Sequence, residues 1–431
     1  MKKQILLMVA FLFATSMVFA QSPTATLDDD CDDCSDGFSE KSKTKLTKKT
    51  RTSWTVATIN TSEVEQIGFH NDVVVDQDGE GNFSMITQQG EDGTGVGDHN
   101  DADVDQDGDF NYSVVLQQGH GNDAEVDQDH YRNYAEIFQN GEHNDAEIEQ
   151  HHDDNYAEQY QDGDDNDAEI DQHGDDNDAY QYQDGDDNDA DIEQDDDDNY
   201  ADQYQDGDDH DADIDQHGDD NCAFQIQYGD HNDAEIDQYG DDNYAEQDQD
   251  GHENDAEIDQ DGDDNHAEQE QDGDHNDADI EQDDDDNVAF QTQDGIHNEA
   301  DIHQDGDYNY AEQEQDGDHN DADIDQHGDD NVAFQSQEGD DNEADSYQHG
   351  DDNFSSETQT GDDNYSEIDQ DGDWNLACVV QDASSPFTNW SSITQTGDGN
   401  AAAVNQTATI SGNTSTIIQT GDMNSVCVNQ I

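Results

Sequence analysis

Carboxylates are the side chains of this sequence with the greatest capacity for chemistry. The 431 residues include 119 Asp and Glu against 9 Lys and Arg, a formal charge of −110 at pH 7. Hard oxygen ligands in this number suit Ca²⁺, whereas a nucleic-acid partner needs Lys and Arg for its phosphates. We therefore predict no nucleic-acid binding and no required cofactor, but diffuse binding of Ca²⁺ or other cations. Candidate ligands are Asp145, Glu147, Glu149, Asp167, Glu169 and Asp171.

A dedicated Ca²⁺ loop is a narrower alternative for the same chemistry. Residues 259–265 read DQDGDDN, but the segment lacks the ligand order and the terminal Glu of an EF-hand. Diffuse cation binding along many carboxylates is the interpretation that we favour.

Histidines recur at two positions, one directly after a regularly spaced Gln and one directly before an Asn. The first set is His151, His173, His217, His327 and His349, and the second is His143, His231, His275, His297 and His319. A transition-metal site is conceivable, but we favour solvated turn residues, because consecutive units often lack the partner histidine. No nucleophile and base stand at a recognisable spacing, so we do not expect an enzyme.

The elements that position these side chains follow from a strict period. Gln recurs every 11 residues without a miss from Gln106 to Gln381. Asn stands five places after nearly every Gln, Ala or Ser follows two residues later, and Gly usually lies two after the Gln. Neighbouring units alternate between an Ile-containing form and a Gln-containing form, so the true repeat is 22 residues.

Alternation by two predicts β-strands, because Asn, Ala, the Ile or Gln, and the anchoring Gln then share one face. Burying an unpaired carboxylate is costly, whereas a hydrogen-bonded amide is tolerated, so the acids must point outward. Predicted core residues are Asn144, Ala146, Ile148, Gln150, Asn155, Ala157, Gln159, Gln161, Asn166, Ala168, Ile170, Gln172, Asn177, Ala179, Gln181 and Gln183. Predicted turn glycines are Gly163, Gly174, Gly185, Gly207 and Gly218.

Strand, turn, strand, turn makes a coil of 22 residues, and stacked coils make an all-β solenoid. Each Asn and Gln then lies about 4.8 Å from its equivalent in the next coil, within reach of side-chain amide ladders. About sixteen coils are expected. The same stacking brings carboxylates into columns that repel by about 0.9 kcal/mol per pair in unscreened water, which is the reason for expecting bound cations.

The segment from Gln172 to Ala179, QHGDDNDA, and its many copies resemble the curlin repeat of bacterial curli subunits. The resemblance covers Gln150 to Gln381 nearly unit for unit. It implies a cross-β solenoid that is secreted through the periplasm and a dedicated outer-membrane pore, is started by a nucleator subunit, and polymerises into cell-surface amyloid for adhesion and biofilm matrix. The acidity of the outer face departs from the family pattern.

Four regions are predicted along the chain. Residues 1–20 read as a signal peptide, and no later stretch is apolar enough for membrane insertion. Residues 21–59 form a flexible segment, with Cys31 and Cys34 placed for a local disulfide and a basic arm at 41–51. Residues 60–381 form the acidic solenoid, and 382–431 form low-charge repeats suited to a cap or a docking end.

Two rivals to a fibre subunit remain open. One is a monomeric Ca²⁺-binding solenoid that serves as an adhesin or surface rod without polymerising. The other is a disordered polyanion, which composition alone would favour.

Overall fold

The computed structural model describes residues 59–90, 99–383, 387–408 and 411–430, and every regular element within them is a β-strand. Odd-numbered and even-numbered strands form separate sheets of 17 and 16 strands. The predicted all-β solenoid of two-strand coils is therefore confirmed, and the disordered polyanion is excluded for these residues.

The odd sheet contains β1 (Thr61–Ile67), β3 (Phe83–Gln89), β5 (Tyr112–His120), β7 (Tyr134–Glu142), β9 (Tyr156–Asp162), β11 (Asp178–Asp184), β13 (Tyr200–Asp208), β15 (Cys222–Asp230), β17 (Tyr244–His252), β19 (His266–Asp274), β21 (Val288–Ile296), β23 (Tyr310–Asp318), β25 (Val332–Glu338), β27 (Phe354–Thr360), β29 (Leu376–Ala383), β31 (Ala401–Ala408) and β33 (Ser425–Gln430).

The even sheet contains β2 (Val74–Asp78), β4 (Asp103–Asp109), β6 (Asp123–Tyr131), β8 (Asp145–His151), β10 (Asp167–His173), β12 (Asp189–Asp195), β14 (Asp211–His217), β16 (Asp233–Tyr239), β18 (Asp255–Asp261), β20 (Asp277–Asp283), β22 (Glu299–Asp305), β24 (Asp321–His327), β26 (Glu343–His349), β28 (Tyr365–Asp371), β30 (Asn389–Thr396) and β32 (Asn413–Thr420).

Strands within each sheet are parallel and in register with the repeat. β10 pairs with β8 on one side and β12 on the other, so that Ile170 lies between Ile148 and Ile192. Identical residue types therefore stack directly along the solenoid. A one-residue slip would turn every buried side chain outward, which is why the pattern specifies the register so strongly.

Turns between strands combine a glycine with a second residue of positive φ. Four of the five predicted turn glycines lie between strands and Gly207 lies near the end of β13, and all five have φ between 119° and 155°. A Cβ on Gly185 would stand 1.8 Å from the carbonyl oxygen of Gly207 in the next coil, so the close approach of stacked turns also requires glycine. The residue before most of the repeat asparagines is left-handed too, as at Asp165 with φ of 58°.

The apolar part of the interior is narrow and has two sections. One extends from Ile86 to Ala333 as columns of Ala and Ile or Val, and the other contains residues from Ile368 to Ile417. Between them Ala344 is buried, but most inward positions are polar, with Ser346, Ser355 and Glu357 all buried. The apolar packing is thus interrupted between Ala333 and Ile368, although the strands continue to stack there.

Several predictions concern residues outside the described part of the chain. The signal peptide at 1–20, Cys31, Cys34 and the basic arm at 41–51 all lie there. Over the described ranges no helix is long and apolar enough to span a bilayer. The predicted boundary at 381/382 falls inside β29, and stacking continues beyond it to β33.

Candidate functional site

Two glutamine ladders run along the interior, one in each sheet. In the even sheet the Nε2 of each anchoring Gln donates to the Oε1 of the next from Gln77 to Gln419, at 2.7–3.0 Å. In the odd sheet the ladder runs from Gln66 to Gln430 at 2.8–3.1 Å. Each amide is both donor and acceptor, so these buried groups satisfy one another.

A third ladder occupies the middle of the odd strands, from Gln159 to Gln335, at 2.9–3.1 Å. Its members also donate to backbone carbonyls of the facing sheet, as Gln159 does to Glu147 O at 2.8 Å and Ala168 O at 2.9 Å. The ladders therefore join the two sheets as well as successive coils.

Asparagines connect successive turns. The Oδ1 of Asn144 accepts the backbone N–H of Asn166 at 3.0 Å, and its Nδ2 donates to Gly163 O at 2.8 Å. His210 replaces Asn in this series, and its Nδ1 accepts the backbone N–H of Asn232 at 3.2 Å. Burial lowers the pKa of His210, which favours the neutral imidazole that this hydrogen bond requires.

The structure places all sixteen candidate core residues inside the solenoid. Each is at most 3% exposed. They are Asn144, Ala146, Ile148, Gln150, Asn155, Ala157, Gln159, Gln161, Asn166, Ala168, Ile170, Gln172, Asn177, Ala179, Gln181 and Gln183.

Comparison with known families matches the Curlin associated repeat at residues 97–129, 163–195, 207–240, 251–283, 295–328, 317–350 and 339–372. The matched units lie within the part of the chain that carries the Gln and Asn ladders. The chain belongs to the curlin-repeat family. Comparison with curated proteins finds no match. Both this family and the β-solenoid fold are structural rather than enzymatic, and the family is extracellular or located at the cell surface.

On the outer face of the solenoid, the even sheet presents columns of acids. The six candidate cation ligands stack in pairs, with Asp145 beside Asp167, Glu147 beside Glu169, and Glu149 beside Asp171. We call the middle of these columns the central carboxylate column. It consists of Glu125, Glu147, Glu169, Asp191, Asp213, Glu235, Glu257, Asp279, Asp301, Asp323 and Asp345.

Proton binding near neutral pH is favoured in part of this column. Burial, followed by repulsion from neighbouring acids, raises the pKa of Glu147, Asp191 and Asp301 to about 7. The same causes raise the pKa of Asp213 and Asp279 to about 6. The sequence predicts the repulsion between stacked acids but not their protonation. Protonation depends on how far side-chain packing removes each carboxyl from water.

The two histidine sets differ in structure. The set before Asn lies in turns, with φ of 58–61°, a conformation in which Asp, Asn and His are enriched. The set after Gln lies at the strand ends of the even sheet. There His151, His217 and His327 each place Nδ1 3.0–3.2 Å from an Asp of the preceding coil. The predicted turn position therefore describes the first set, whereas the second set lies at strand ends; members of both sets approach acids, as His275 Nδ1 does Glu253 at 2.8 Å.

Glu357 corrects the expectation that every carboxylate points outward. It occupies the place of the middle Gln in β27, is 1% exposed, and pairs in register with Gln335. Burial raises its pKa well above the usual range, so the neutral acid is favoured. The third glutamine ladder stops one coil earlier, at Gln335. Alternation by two places residue 357 inward, two before the anchoring Gln359, but the rule that acids point outward argued against it.

Stability should increase as pH falls from 8 to 5 at low ionic strength. Carboxyls whose folded pKa is raised to 6–7 bind protons before those of the unfolded chain, whose pKa is near 4. Their favourable contribution is present below that value and is lost as pH rises through 6–7. We expect the thermal midpoint, followed by circular dichroism, to be about 5 °C or more higher at pH 5 than at pH 8. A midpoint that is highest at pH 8 would show that the folded column does not take up protons in this range.

Replacing Glu357 with Gln should stabilise the solenoid at pH 8, because a neutral amide extends the third ladder and removes a buried ionisable group. We expect a gain of about 1–3 kcal/mol in the free energy of unfolding. The gain should shrink towards pH 4, since the contribution of a group with raised pKa is lost only as pH rises. Urea unfolding at both pH values measures the difference.

The control for this variant is Glu367→Gln, the same change at an outward position of β28. It should not reproduce the pH-dependent gain. Equal gains for the two variants would show that removing surface charge, rather than filling the ladder position, is responsible.

Proposed function

We propose that this chain is a secreted structural subunit of curli-like extracellular fibres, joined end to end and carrying an acidic face that binds cations. The observation that carries the proposal is the complementarity of the two ends of the stack. Within the described ranges, β1 pairs only with β3 and β33 pairs only with β31, so both ends present an open strand of the same sheet. Open edges of this kind accept another chain.

Backbone donors at one end match acceptors at the other. Ser425 corresponds in register to Ala401, whose N–H donates to Asn424 O of the next coil at 2.8 Å. Because alternate residues direct their N–H groups to opposite sides, Ser425, Cys427 and Asn429 donate away from β31. The matching acceptor at the opposite end is Asn60 O. Its equivalent one coil later, Asn82 O, accepts the N–H of Thr61 at 2.8 Å.

The amide ladder of the odd sheet can continue through such a junction. Every donor in it points towards the C-terminal end, as Gln406 Nε2 does towards Gln430 Oε1 at 2.8 Å. Gln66 begins the same ladder by donating to Gln88, which leaves its Oε1 facing the preceding coil. A following subunit would therefore offer Gln66 as the acceptor for Gln430.

Low charge at the C-terminal end reduces repulsion across the junction. Residues 382–431 contain three acids, Asp382, Asp398 and Asp422, whereas the single coil 144–165 contains nine. The outward residues of β33 are Ser425, Cys427 and Asn429. They would lie beside Thr61, Glu63 and Glu65 of β1, so no carboxylate would face another within this strand pair.

Cations complete the proposal for the acidic face. Asp145, Glu147, Glu149, Asp167, Glu169 and Asp171 supply oxygen ligands at the coil spacing, which suits diffuse Ca²⁺ binding. Physiological salt has a Debye length of about 8 Å, which is longer than that spacing, so screening alone is incomplete. Bound cations would lower the repulsion that opposes the addition of subunits.

Export and partners follow the family. The segment 1–20 supports secretion, and the curlin repeats support passage through the periplasm and a curli-type outer-membrane pore, with a nucleator subunit starting growth. The resulting fibres would serve cell adhesion and biofilm matrix at the cell surface.

Blocking the C-terminal edge tests the assembly step. In Cys427→Pro combined with Asn429→Pro, two outward donors are removed while the N–H groups that face β31 remain, a placement that edge strands tolerate. The purified mature chain with millimolar Ca²⁺ should form thioflavin-positive fibres visible by electron microscopy. The double variant should lengthen the lag at least tenfold and retain its β-sheet circular dichroism.

The matched control is Cys427→Ser, which keeps the backbone donor and should assemble as the unmodified chain does. If the unmodified chain stays monomeric with Ca²⁺ and at pH 5, the chain is a cation-binding rod instead. If the proline variant assembles normally, the β33 edge is not the junction. Removal of Ca²⁺ with a chelator at low ionic strength should slow assembly, and an unchanged rate would refute the cation part.

A further inference from the structure

Two histidines from adjacent coils converge on one carboxylate at the outer face of the even sheet. His303 lies in β22, and Asp325 and His327 lie in β24. The imidazole rings are 5.2 Å apart at an interplanar angle of 79°. Potential ligand atoms of the three side chains all lie within 4.8 Å of one another.

Asp325 Oδ1 stands between the two rings. It is 3.6 Å from His303 Nδ1 and 3.0 Å from His327 Nε2. Two ligands bound at 2.0–2.1 Å to a tetrahedral Zn²⁺ are about 3.3 Å apart. The observed separations bracket that value, so an ion needs only small side-chain rotations to reach all three atoms.

The remaining nitrogen of each ring faces further carboxylates. His327 Nδ1 is 3.1 Å from Asp305 Oδ2, and His303 Nε2 is 3.9 Å from Glu281 and 3.8 Å from Asp283. In metal sites a ligating histidine is usually oriented in this way by a carboxylate on its second nitrogen. An acidic surface alone does not bring two imidazoles and a carboxylate together with further carboxylates around them.

We propose that His303, Asp325 and His327 form a transition-metal site that takes Zn²⁺, with water completing the coordination. Two imidazoles and one carboxylate suit zinc, whereas Ca²⁺ prefers oxygen ligands alone. The site is therefore chemically distinct from the diffuse Ca²⁺ binding along the acid columns. It requires only the folded coil, so it does not depend on fibre formation.

A second cluster with the same three ligand types lies closer to the N-terminal end, although there the two histidines pair with each other in register, whereas His303 pairs with Asp325. His151, Asp171 and His173 also bring their potential ligand atoms within 4.8 Å of one another, with His173 Nε2 3.2 Å from Asp171 Oδ2 and the rings stacked at 4.7 Å. Asp129 lies 3.2 Å from His151 Nδ1 and supports the ring from outside. Two zinc equivalents per chain follow from the pattern.

His217 is the control residue that distinguishes a zinc site from simple ion pairing between His and Asp. It contacts Asp195 at 3.0 Å and Asp215 at 3.1 Å, as His327 contacts its two acids. Its ring stacks on Tyr239 rather than on a second histidine. If His–Asp pairs alone captured zinc, His217 would contribute as much as the two clusters do.

The experiment titrates the folded, full mature chain with Zn²⁺ against a chromophoric chelator, with millimolar Ca²⁺ present to occupy oxygen-only sites. We expect two tight equivalents per chain. The variant His303→Asn with His327→Asn should lose one of them, with at least a tenfold drop in affinity at that site. His217→Asn should keep both, and circular dichroism reports whether each variant is folded.

X-ray absorption at the zinc edge gives a second readout that needs no variant. Scattering from about two imidazoles per zinc is expected at two equivalents. Oxygen-only coordination would overturn the proposal. It would also be overturned by unchanged zinc binding in the double variant, or by an equal loss in His217→Asn.

Discussion

The whole molecule depends on a buried carboxamide that hydrogen-bonds to its own copy one coil away. A parallel sheet sets the distance between equivalent residues at about 4.8 Å, and at this spacing the Nε2 of one Gln reaches the Oε1 of the next. Gln172, for example, accepts from Gln150 and donates to Gln194, both at 2.8 Å. The interaction needs the same residue type directly above and below, which imposes the 22-residue repeat.

This interaction explains how so acidic a chain can fold. Amides replace hydrocarbon in the interior, so that little more than columns of Ala and Ile is needed as apolar packing. Most acids are left with the outward positions, where water and protons reduce their mutual repulsion. Burial and stacking together raise the pKa of Glu147 to about 7, a consequence of arranging like charges at the coil spacing. Because each coil satisfies only its neighbours, the two ends of the described stack present unpaired strand edges, and the proposed assembly would use the same bonds as folding.

Much of the fold and of the candidate surfaces could be predicted because one period determines several features at once. The strict spacing of residues such as Gln150, Gln161 and Gln172 determines three features together: the length of the strands, which side chains point inward, and how the strands stack. The period gives the position of a residue that departs from the pattern, but not how that residue is accommodated. Glu357 lies inside because a protonated Glu fits the place of Gln, and His210 fits the place of Asn because its neutral Nδ1 can accept the same backbone hydrogen bond. The convergence of His303 and His327 on Asp325 also depends on ring orientations that spacing does not encode.

Hydrogen exchange of the glutamine side chains tests the central claim most directly. With ¹⁵N-labelled glutamine, solid-state NMR can follow the loss of carboxamide protons after transfer to D₂O. If amide ladders hold the interior, most of these protons will persist as long as the backbone amides of the strands. Exchange of the bulk of them at the rate of free, solvated glutamine would show that the amides are not paired inside and that ladders do not hold the solenoid together.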